Sequence, residues 1–295
     1  MNIVSKFIKK IKSVPRVYDN FGLDGLVFSI LRNLGLKIKY QSIIDKKKEK
    51  LEKKIIKETN KTVIDGLYKN TQLNCKSNWG GYDWSSKLLG CYEQQIQNKI
   101  VEIKKNYNLE NIINFGGGDG YHILGLIKNN FFKKSLVFEK DEKSRIHLSE
   151  NIELNNISSK VNVEKDADFT KIQNYFNEEE MPKTLYLIDI EGKEYDLICK
   201  ENLKYYINSI LIIEDHQFLI DDDFKKTNFF ENLNKNFDVE TLKNASRNPF
   251  KHSFIDELND DDRWLLMSEG REKNMNWLVC IPKQTHHQKN SSPNL

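Results

Sequence analysis

Short apolar runs alternate with helical patterns over most of the chain after residue 107. Strands are predicted at residues 111–115, 135–138, 161–163, 184–190 and 209–213, and later strands at 237–241 and 276–281. The runs at 184–190 and 209–213 are typical of strands that are buried on both faces of a parallel sheet. Because strands separated by helices form right-handed βαβ units, the pattern predicts an α/β fold with a doubly wound, mostly parallel, Rossmann-like sheet.

The N-terminal part of the chain has a different pattern. Apolar side chains such as Ile3 and Phe7 recur on one face of a predicted helix, which ends at Pro15. A second apolar helix is predicted at about residues 21–36, and the charged run at 45–61 is most simply a solvated helix. We therefore predict a basic helical extension over residues 1–70, an α/β domain over residues 71–284 and a disordered tail over residues 285–295.

Charge separates the same regions. Residues 1–61 carry 16 Lys or Arg against 6 Asp or Glu, whereas the remainder carries 30 basic against 37 acidic residues. The basic extension is interpreted as packing on the main domain or on a partner, with peripheral contact to an anionic membrane surface as the alternative. Nucleic acid is an unlikely partner because aromatic residues are sparse among these basic residues.

The cysteines and the hydropathy indicate the compartment. The four cysteines are widely spaced and form no C-x-x-C pair, which favours buried thiols in a reducing environment. The first residues lack the continuous apolar core of a secretory signal, and no run approaches the length of a membrane span. We expect a cytoplasmic protein, with peripheral membrane contact through the basic extension left open.

A glycine-rich turn follows the first predicted strand, and an acidic residue ends the second. Gly116, Gly118 and Gly120 let the backbone turn tightly and approach a ligand closely. Glu139 follows about 20 residues later, where its carboxylate can accept both hydroxyls of a ribose. The two features predict a site for an adenosine-type cofactor. Asp166, after the third strand, is the candidate for the adenine edge, and Asp168 competes with it.

The spacing of the glycines distinguishes between adenosine cofactors. A dinucleotide fingerprint requires a glycine three positions after Gly118, where this chain has Tyr121. The G-x-G-x-G spacing is typical of methyltransferases, so S-adenosylmethionine is the predicted cofactor. An NAD-dependent oxidoreductase is the weaker alternative. Trp79 and Tyr121 are further candidates for the wall of the site, although simple packing explains either equally well.

Two acidic motifs carry a resemblance to a known family. The fourth strand runs into Asp189-Ile190-Glu191-Gly192-Lys193-Glu194, and the fifth into Ile213-Glu214-Asp215-His216. With the glycine turn and Glu139, these motifs resemble the FkbM-like family of S-adenosylmethionine-dependent methyltransferases over about residues 110–220. The resemblance implies a seven-stranded sheet with a reversed last strand, and O-methylation of a sugar, a glycan or a secondary metabolite.

One residue departs from the family pattern. The family usually has an acidic residue where this chain has Asn114. Asn114 remains a predicted cofactor-binding residue, because its amide can hold the turn by hydrogen bonds. It lacks the charge that would face the methionine ammonium, and Asp189 is a second candidate for that role.

The residues that follow the fourth and fifth strands are candidates for the chemistry. Methyl transfer to a hydroxyl requires alignment and a proton acceptor. His216 is the hypothetical general base, although a histidine that only bonds the backbone at a strand end fits as well. Asp189 and Glu191 are predicted site residues. No metal ligand is assigned, but a divalent ion held by Asp189, Glu214, Asp215 and His216 is weighed as a less favoured alternative.

The function predicted from the sequence is therefore S-adenosylmethionine-dependent methyl transfer to a hydroxyl of a small-molecule or glycan acceptor. A non-catalytic binding or scaffold protein that keeps the fold is the main alternative, and Asn114 is the residue in its favour.

Overall fold

The computed structural model describes residues 22–31 apart from 24, 26 and 28, residues 43–76 and 83–271, residue 273 and residues 275–283. The chain divides into two compact units, residues 1–51 and residues 52–295. In the first unit the described residues between 22 and 31 are helical, and Leu23, Val27 and Ile30 are more than half exposed. The predicted helix near Ile3, Trp79 and the predicted disordered tail lie outside the described residues.

A seven-stranded sheet forms the centre of the second unit, in the order β3-β2-β1-β4-β5-β7-β6. Its strands are β1 (Asn111–Phe115), β2 (Lys134–Phe138), β3 (Val161–Glu164), β4 (Thr184–Ile188), β5 (Ile210–Asp215), β6 (Phe237–Leu242) and β7 (Asn276–Pro282). The pairs β1–β2, β1–β4, β2–β3 and β4–β5 are parallel. The strand β7 is antiparallel to both β5 and β6, so the last strand is the reversed one, as predicted.

The described helices lie between the strands in sequence and precede the first of them. They are α1 (Ile43–Glu58), α2 (Trp84–Leu88), α3 (Gln94–Asn106), α4 (Tyr121–Lys128), α5 (Glu142–Leu154), α6 (Phe169–Tyr175), α7 (Glu194–Leu197), α8 (Asp223–Asn236) and α9 (Asp260–Met267). Short 3₁₀ segments occur at Met181–Lys183, Leu203–Tyr205, Gln217–Leu219, Pro249–Lys251 and Ser253–Ile255. Among these described helices, none combines the length and the apolar composition that crossing a membrane requires.

The middle strands explain why the core is organised around the sheet. Every residue of β1 and β4 is buried, and the rings of Phe115 and Phe138 stack across β1 and β2 with centroids 5.1 Å apart. Because both faces of these strands are buried, their backbone N–H and C=O groups cannot reach water. They are satisfied by hydrogen bonds to the neighbouring strands. The α/β fold and the doubly wound, mostly parallel sheet predicted from the sequence are confirmed.

The region between residues 45 and 76 differs from the prediction. The charged run forms α1, but Glu52 and Ile55 are buried on one of its faces, and Glu52 accepts hydrogen bonds from the backbone and the hydroxyl of Ser85. Farther along, the backbone of Gln72 bonds the side chain of Asn155, the residue that follows α5. The second compact unit begins at residue 52, and the domain boundary predicted at residue 70 stays a prediction.

Candidate functional site

A cavity of about 810 Å³ opens at the carboxyl ends of the parallel strands. Its walls include the loops after β1, β2, β3 and β4, which is where ligands bind in open α/β sheets. Of the residues predicted from the sequence, the lining contains Asn114, Gly116, Gly118, Glu139, Asp166, Asp189 and Glu191. Seven residues predicted from separate parts of the chain are therefore brought together around one space.

The glycine turn shapes the floor of the cavity by its backbone. Gly116 has a φ of +86°, and a Cβ built on it would overlap the backbone oxygen of Asp189. Gly118 has a φ of +53°, and no described residue lies within 4 Å of a Cβ built there, so this glycine faces open space in the described part of the chain. A side chain is excluded at Gly116 by the neighbouring strand, whereas Gly118 leaves room for a ligand.

Gly120, the third glycine of the predicted turn, lies outside the cavity lining. It precedes α4 with a φ of +86°. A Cβ on Gly120 would overlap the side chain of Leu148 in α5. Gly120 therefore allows the loop to pack against the helices, and its conformation is needed for that packing.

Glu139 is fixed in the cavity wall by two backbone groups. Its Oε2 accepts a hydrogen bond of 2.8 Å from the backbone N–H of Gly118, and its Oε1 accepts one of 2.7 Å from that of Asp141. Its exposed fraction is 7%. A carboxylate oxygen can accept more than one hydrogen bond, so these contacts orient Glu139 and leave acceptor capacity toward the cavity.

The structure separates the two candidates for the adenine edge. The side chain of Asp168 caps α6 by accepting a hydrogen bond from the backbone N–H of Thr170, at 2.8 Å. Asp166 and Ala167 line the cavity. Because Asp168 is occupied as a helix cap, Asp166 is the carboxylate available at this edge.

Asn114 is a sheet residue that also touches the cavity. It is 4% exposed, and its amide donates a 3.2 Å hydrogen bond to the backbone oxygen of Leu187 in β4. The side chain thus ties β1 to the neighbouring strand just before the turn. It contributes no charge at this end of the cavity.

The loop after β4 is held by the buried carboxylate of Glu194, the last residue of the acidic motif that follows this strand. Glu194 is fully buried, and its Oε2 accepts a 2.9 Å hydrogen bond from the backbone N–H of Gly192. Its Oε1 accepts from the backbone N–H of His216 at 3.1 Å and lies 3.2 Å from Nδ1 of that ring. Glu194 therefore joins the ends of β4 and β5 and orients the histidine. Within the same loop, Glu191 has a φ of +52°, a strained conformation for a residue other than glycine.

His216 lies behind the cavity wall and does not line it. Its ring is fully buried, and Nε2 has no hydrogen-bond partner in the part of the chain that the structure describes. That nitrogen lies 3.3 Å from an oxygen of Glu214, 3.5 Å from one of Glu191 and 3.7 Å from one of Asp189. The histidine thus faces three carboxylates, of which Asp189 and Glu191 border the cavity.

Burial and like charges perturb this cluster. Burial, with Glu214 next to it, raises the pKa of Asp189 well above its usual value. Burial also raises the pKa of Glu214 to about 7. Although burial itself lowers the pKa of His216, the hydrogen bond to Glu194 and the charge of Asp189 reverse that effect and raise it above 6.5. A positive charge placed here, whether a proton, a metal ion or a ligand cation, relieves the repulsion.

The same atoms have the spacing of a metal site. One ligand atom each from Asp189, Glu214 and His216 lie within 4.8 Å of one another. Asp215, the fourth candidate, instead contacts the hydroxyl of Tyr195 at 2.5 Å. Glu214 also receives the guanidinium of Arg271 on its other oxygen, at 2.5 Å, so part of its charge is already balanced.

A wall that the sequence reasoning did not predict comes from the chain before β1. Lys87, Tyr92 and Glu93 line the cavity, as does Tyr121 after β1, which was a candidate for the wall from the sequence. Glu93 is 2% exposed and binds the ring of His122 and the guanidinium of Arg271. No motif in the sequence marks these positions, because they are separated from the strand ends they face.

The segment between β6 and β7 contributes a basic residue to the site. Arg271 bonds Glu214 at the end of β5 and also reaches Glu269 at 2.7 Å. Arg247 pairs with Glu269, and His252 lies 3.7 Å from Asp65. Arg271 is therefore the basic residue of this segment that contacts the candidate site.

Comparisons with known proteins give structural likeness only. No family model matches the chain, and no curated protein matches it. Solved structures similar to it include an uncharacterized protein from Listeria monocytogenes, at 12% identity over 66% of this chain and 69% of that one, with a TM-score of 0.43. An rRNA methylase from Streptococcus thermophilus matches at 11% identity over 63% and 95%, with a TM-score of 0.40. An O-methyltransferase from Bacillus cereus in complex with SAH matches at 14% identity over 90% and 99%, with a TM-score of 0.43.

Two of these three neighbours are named as methyltransferases. At such identities and TM-scores these neighbours do not identify the activity of this chain. The residues of the site itself are what indicate an activity.

Proposed function

We propose that this protein is an S-adenosylmethionine-dependent methyltransferase that acts on a hydroxyl of a small-molecule or glycan acceptor. The observation that carries the proposal is the hydrogen bond between the glycine turn and Glu139, the acidic residue that follows β2. Gly118 leaves open space, and its N–H holds the carboxylate of Glu139 beside that space. The cavity, at about 810 Å³, is in the range of cofactor sites.

The strand order supports a linear arrangement of roles along the sheet edge. The order β3-β2-β1-β4-β5 puts the residues in the sequence Asp166, Glu139, the glycine turn, Asp189 and His216. Asp166 would hold the adenine edge and Glu139 the two ribose hydroxyls. The turn would pass beneath the sugar, so that the reacting end of the cofactor lies toward Asp189 and the acceptor beyond it.

When bound, S-adenosylmethionine supplies the methyl group to the acceptor oxygen, and the hydroxyl proton has to pass to the protein. Asp189 borders the cavity and has a raised pKa, so its carboxylate is the proton acceptor in this proposal. The buried His216 stabilises that cluster from behind through Nε2, 3.7 Å from Asp189. The sequence suggested His216 itself as the base. In this proposal His216 has a supporting role, because its ring does not reach the cavity.

The acceptor class rests on the resemblance to the FkbM-like family. Asp189 would accept the proton of any hydroxyl placed beside it, so the geometry of this cluster does not select among sugars, glycans and metabolites. The basic extension remains a candidate for contact with a partner or an anionic membrane surface, which vesicle co-sedimentation at two salt concentrations would test.

Calorimetry of the full chain with S-adenosylhomocysteine and with NAD tests the proposal directly. We expect binding of the first in the micromolar range and none of the second. Mass spectrometry should then detect the gain of one methyl group in hydroxyl-bearing acceptors. Absence of S-adenosylhomocysteine binding at millimolar ligand would contradict the proposal, whereas binding without any transfer would favour a scaffold.

A metal-assisted variant is the second candidate, favoured by the spacing of Asp189, Glu214 and His216. A divalent ion there would bind the acceptor oxygen and lower its pKa. Titration of the protein with Mn²⁺, followed by electron paramagnetic resonance, distinguishes the metal-assisted mechanism from proton transfer to the carboxylate of Asp189. Stoichiometric binding that is lost in His216→Gln favours the metal, and activity that persists after chelation favours the carboxylate.

A further inference from the structure

A buried lysine lies next to the glycine turn and has no role in the proposed function. Lys87 lies in α2 and lines the cavity, and its side chain is 8% exposed. Its Nζ lies 2.5 Å from Oδ2 of Asp119 and 2.7 Å from Oδ2 of Asp83. The faces of Trp84 and Tyr92 flank it at 4.9 Å and 4.8 Å. Burial of a charge is costly unless the charge is paired, and here two carboxylates pair with the ammonium.

The lysine remains charged despite its burial. Burial alone lowers its pKa, but Asp119 and Asp83 outweigh that effect and raise the pKa above its usual value. An ammonium has three N–H donors, and among the described residues the two carboxylates account for two of them. A permanent cation with a remaining donor thus borders the cavity.

Asp119 is itself rigidly placed. Its Oδ1 accepts a 3.1 Å hydrogen bond from the backbone N–H of Tyr121, and its backbone oxygen accepts one of 2.8 Å from the amide of Asn151. It directly follows Gly118, the residue that faces open space. The pair of Lys87 and Asp119 therefore presents a positive and a negative group side by side at the glycine turn.

This charge pair lies at the glycine turn, and the residue that precedes the turn has no charge. Asn114, just before the turn, is neutral, and its amide is committed to the backbone of β4. The amino-acid part of S-adenosylmethionine is a zwitterion, and its sulfonium adds one positive charge. Lys87 with Asp83 and Asp119 sums to one negative charge, which complements that ligand.

We propose that Lys87 binds the carboxylate of the amino-acid part of the cofactor and that Asp119 faces its ammonium, replacing the charge that Asn114 does not provide. This inference rests on the proposed function. The competing explanation is that the ion pair only fastens α2 to the glycine turn, as a structural link without ligand contact.

Truncated ligands separate the two explanations. S-adenosylhomocysteine contains the amino-acid part, whereas 5′-deoxy-5′-methylthioadenosine retains the nucleoside and sulfur without it. Calorimetry should show that Lys87→Met weakens the homocysteine ligand about 10- to 100-fold, the value of one charge-assisted hydrogen bond, and changes the truncated ligand less than about 3-fold.

Two control variants define the background. Lys134→Met removes another paired lysine, 2.9 Å from Glu180 and outside the cavity lining, and should leave both affinities unchanged. Glu139→Gln removes the proposed ribose contact and should weaken both ligands by similar factors. If Lys87→Met weakens both ligands equally, the lysine is only a structural link and the inference is overturned.

The ligand itself can be varied if Lys87→Met does not fold. The decarboxylated analogue of S-adenosylhomocysteine keeps the amine and lacks the carboxylate, and wild-type protein should bind it at least about 10-fold more weakly than the parent. Equal affinity for the two contradicts a role for Lys87. If wild-type protein binds neither the parent nor methylthioadenosine, the proposed function fails, which is a separate outcome.

Discussion

The two ends of the cavity differ in how complete they are. At the glycine turn, Glu139 is fixed by two backbone N–H groups and Gly116 fits against β4 with no room for a side chain. At the ends of β4 and β5, Nε2 of His216 and Oδ1 of Asp189 are buried with no hydrogen-bond partner among the described residues. The first end is preorganised by hydrogen bonds and close backbone packing, whereas the second keeps buried polar atoms whose hydrogen bonds are not made.

This difference indicates what each end does. Hydrogen bonds that are already made cost no reorganisation when a ligand arrives, which suits the binding of a cofactor. Repelling carboxylates with raised pKa values hold protons more tightly than ordinary ones, which suits proton transfer near neutral pH. Four predictions test the contrast, from the largest expected effect to the smallest.

The largest effect is expected at the preorganised end. Gly116→Ala introduces a Cβ into the backbone of Asp189 at a φ of +86°, so the turn has to move. We expect a loss of about 2–4 kcal/mol in the free energy of unfolding and no measurable binding of S-adenosylhomocysteine. Denaturant unfolding and calorimetry measure the two effects.

Gly118→Ala is the matched control, since nothing lies within 4 Å of its Cβ. Its cost should be limited to about 1 kcal/mol for the left-handed conformation. Equal destabilisation by the two alanine variants would show that close packing on β4 is not what Gly116 provides.

At the other end, Asp189→Asn removes the proposed proton acceptor while keeping its shape. The turnover number should fall by about 10²- to 10⁴-fold, and the affinity for S-adenosylhomocysteine by less than about 10-fold. Asp168→Asn is the control, because asparagine also caps a helix, and its rate should match the wild type. Near-normal turnover in Asp189→Asn would remove this carboxylate from the mechanism.

Glu194→Gln tests a residue that acts through His216. The amide cannot accept at both of its terminal atoms, so one of the bonds to Gly192 or His216 is lost. We expect kcat to fall about 10- to 100-fold with KM nearly unchanged. The pH profile should also shift, because the hydrogen bond to Glu194 helps to raise the pKa of His216. A lower melting temperature without a change in the pH profile would indicate a structural role only.

The smallest effect concerns pH. Asp189 must be ionised to accept a proton, and its pKa is raised, so activity should decline as the pH falls through that raised value. Glu191 contributes to the raised pKa of Asp189 by its negative charge. Glu191→Gln should therefore move the acid limb of the rate profile to lower pH, by less than about one unit because the side chain is 65% exposed. A shift to higher pH would contradict the assignment.

The sequence predicted most of the fold because the strands of a parallel sheet are marked locally. The run at 111–115 coincides with β1, and the runs near residues 184, 237 and 276 each begin where β4, β6 and β7 begin. Continuous burial selects apolar residues along each strand, and glycine marks the turn that follows β1. The position of the acid Glu139 at the end of β2 follows from the same regularity.

The partners of the polar side chains were decided by the tertiary structure. Glu194 meets His216 across 22 residues, Lys87 meets Asp119 across 32, and Arg271 meets Glu214 across 57. The sequence also does not reveal that His216 is buried behind the cavity, or that Gly120 packs on a helix. The spacing of apolar residues indicates which face of each helix or strand is buried. The contacts between polar side chains depend instead on which segments the completed sheet brings to the same edge.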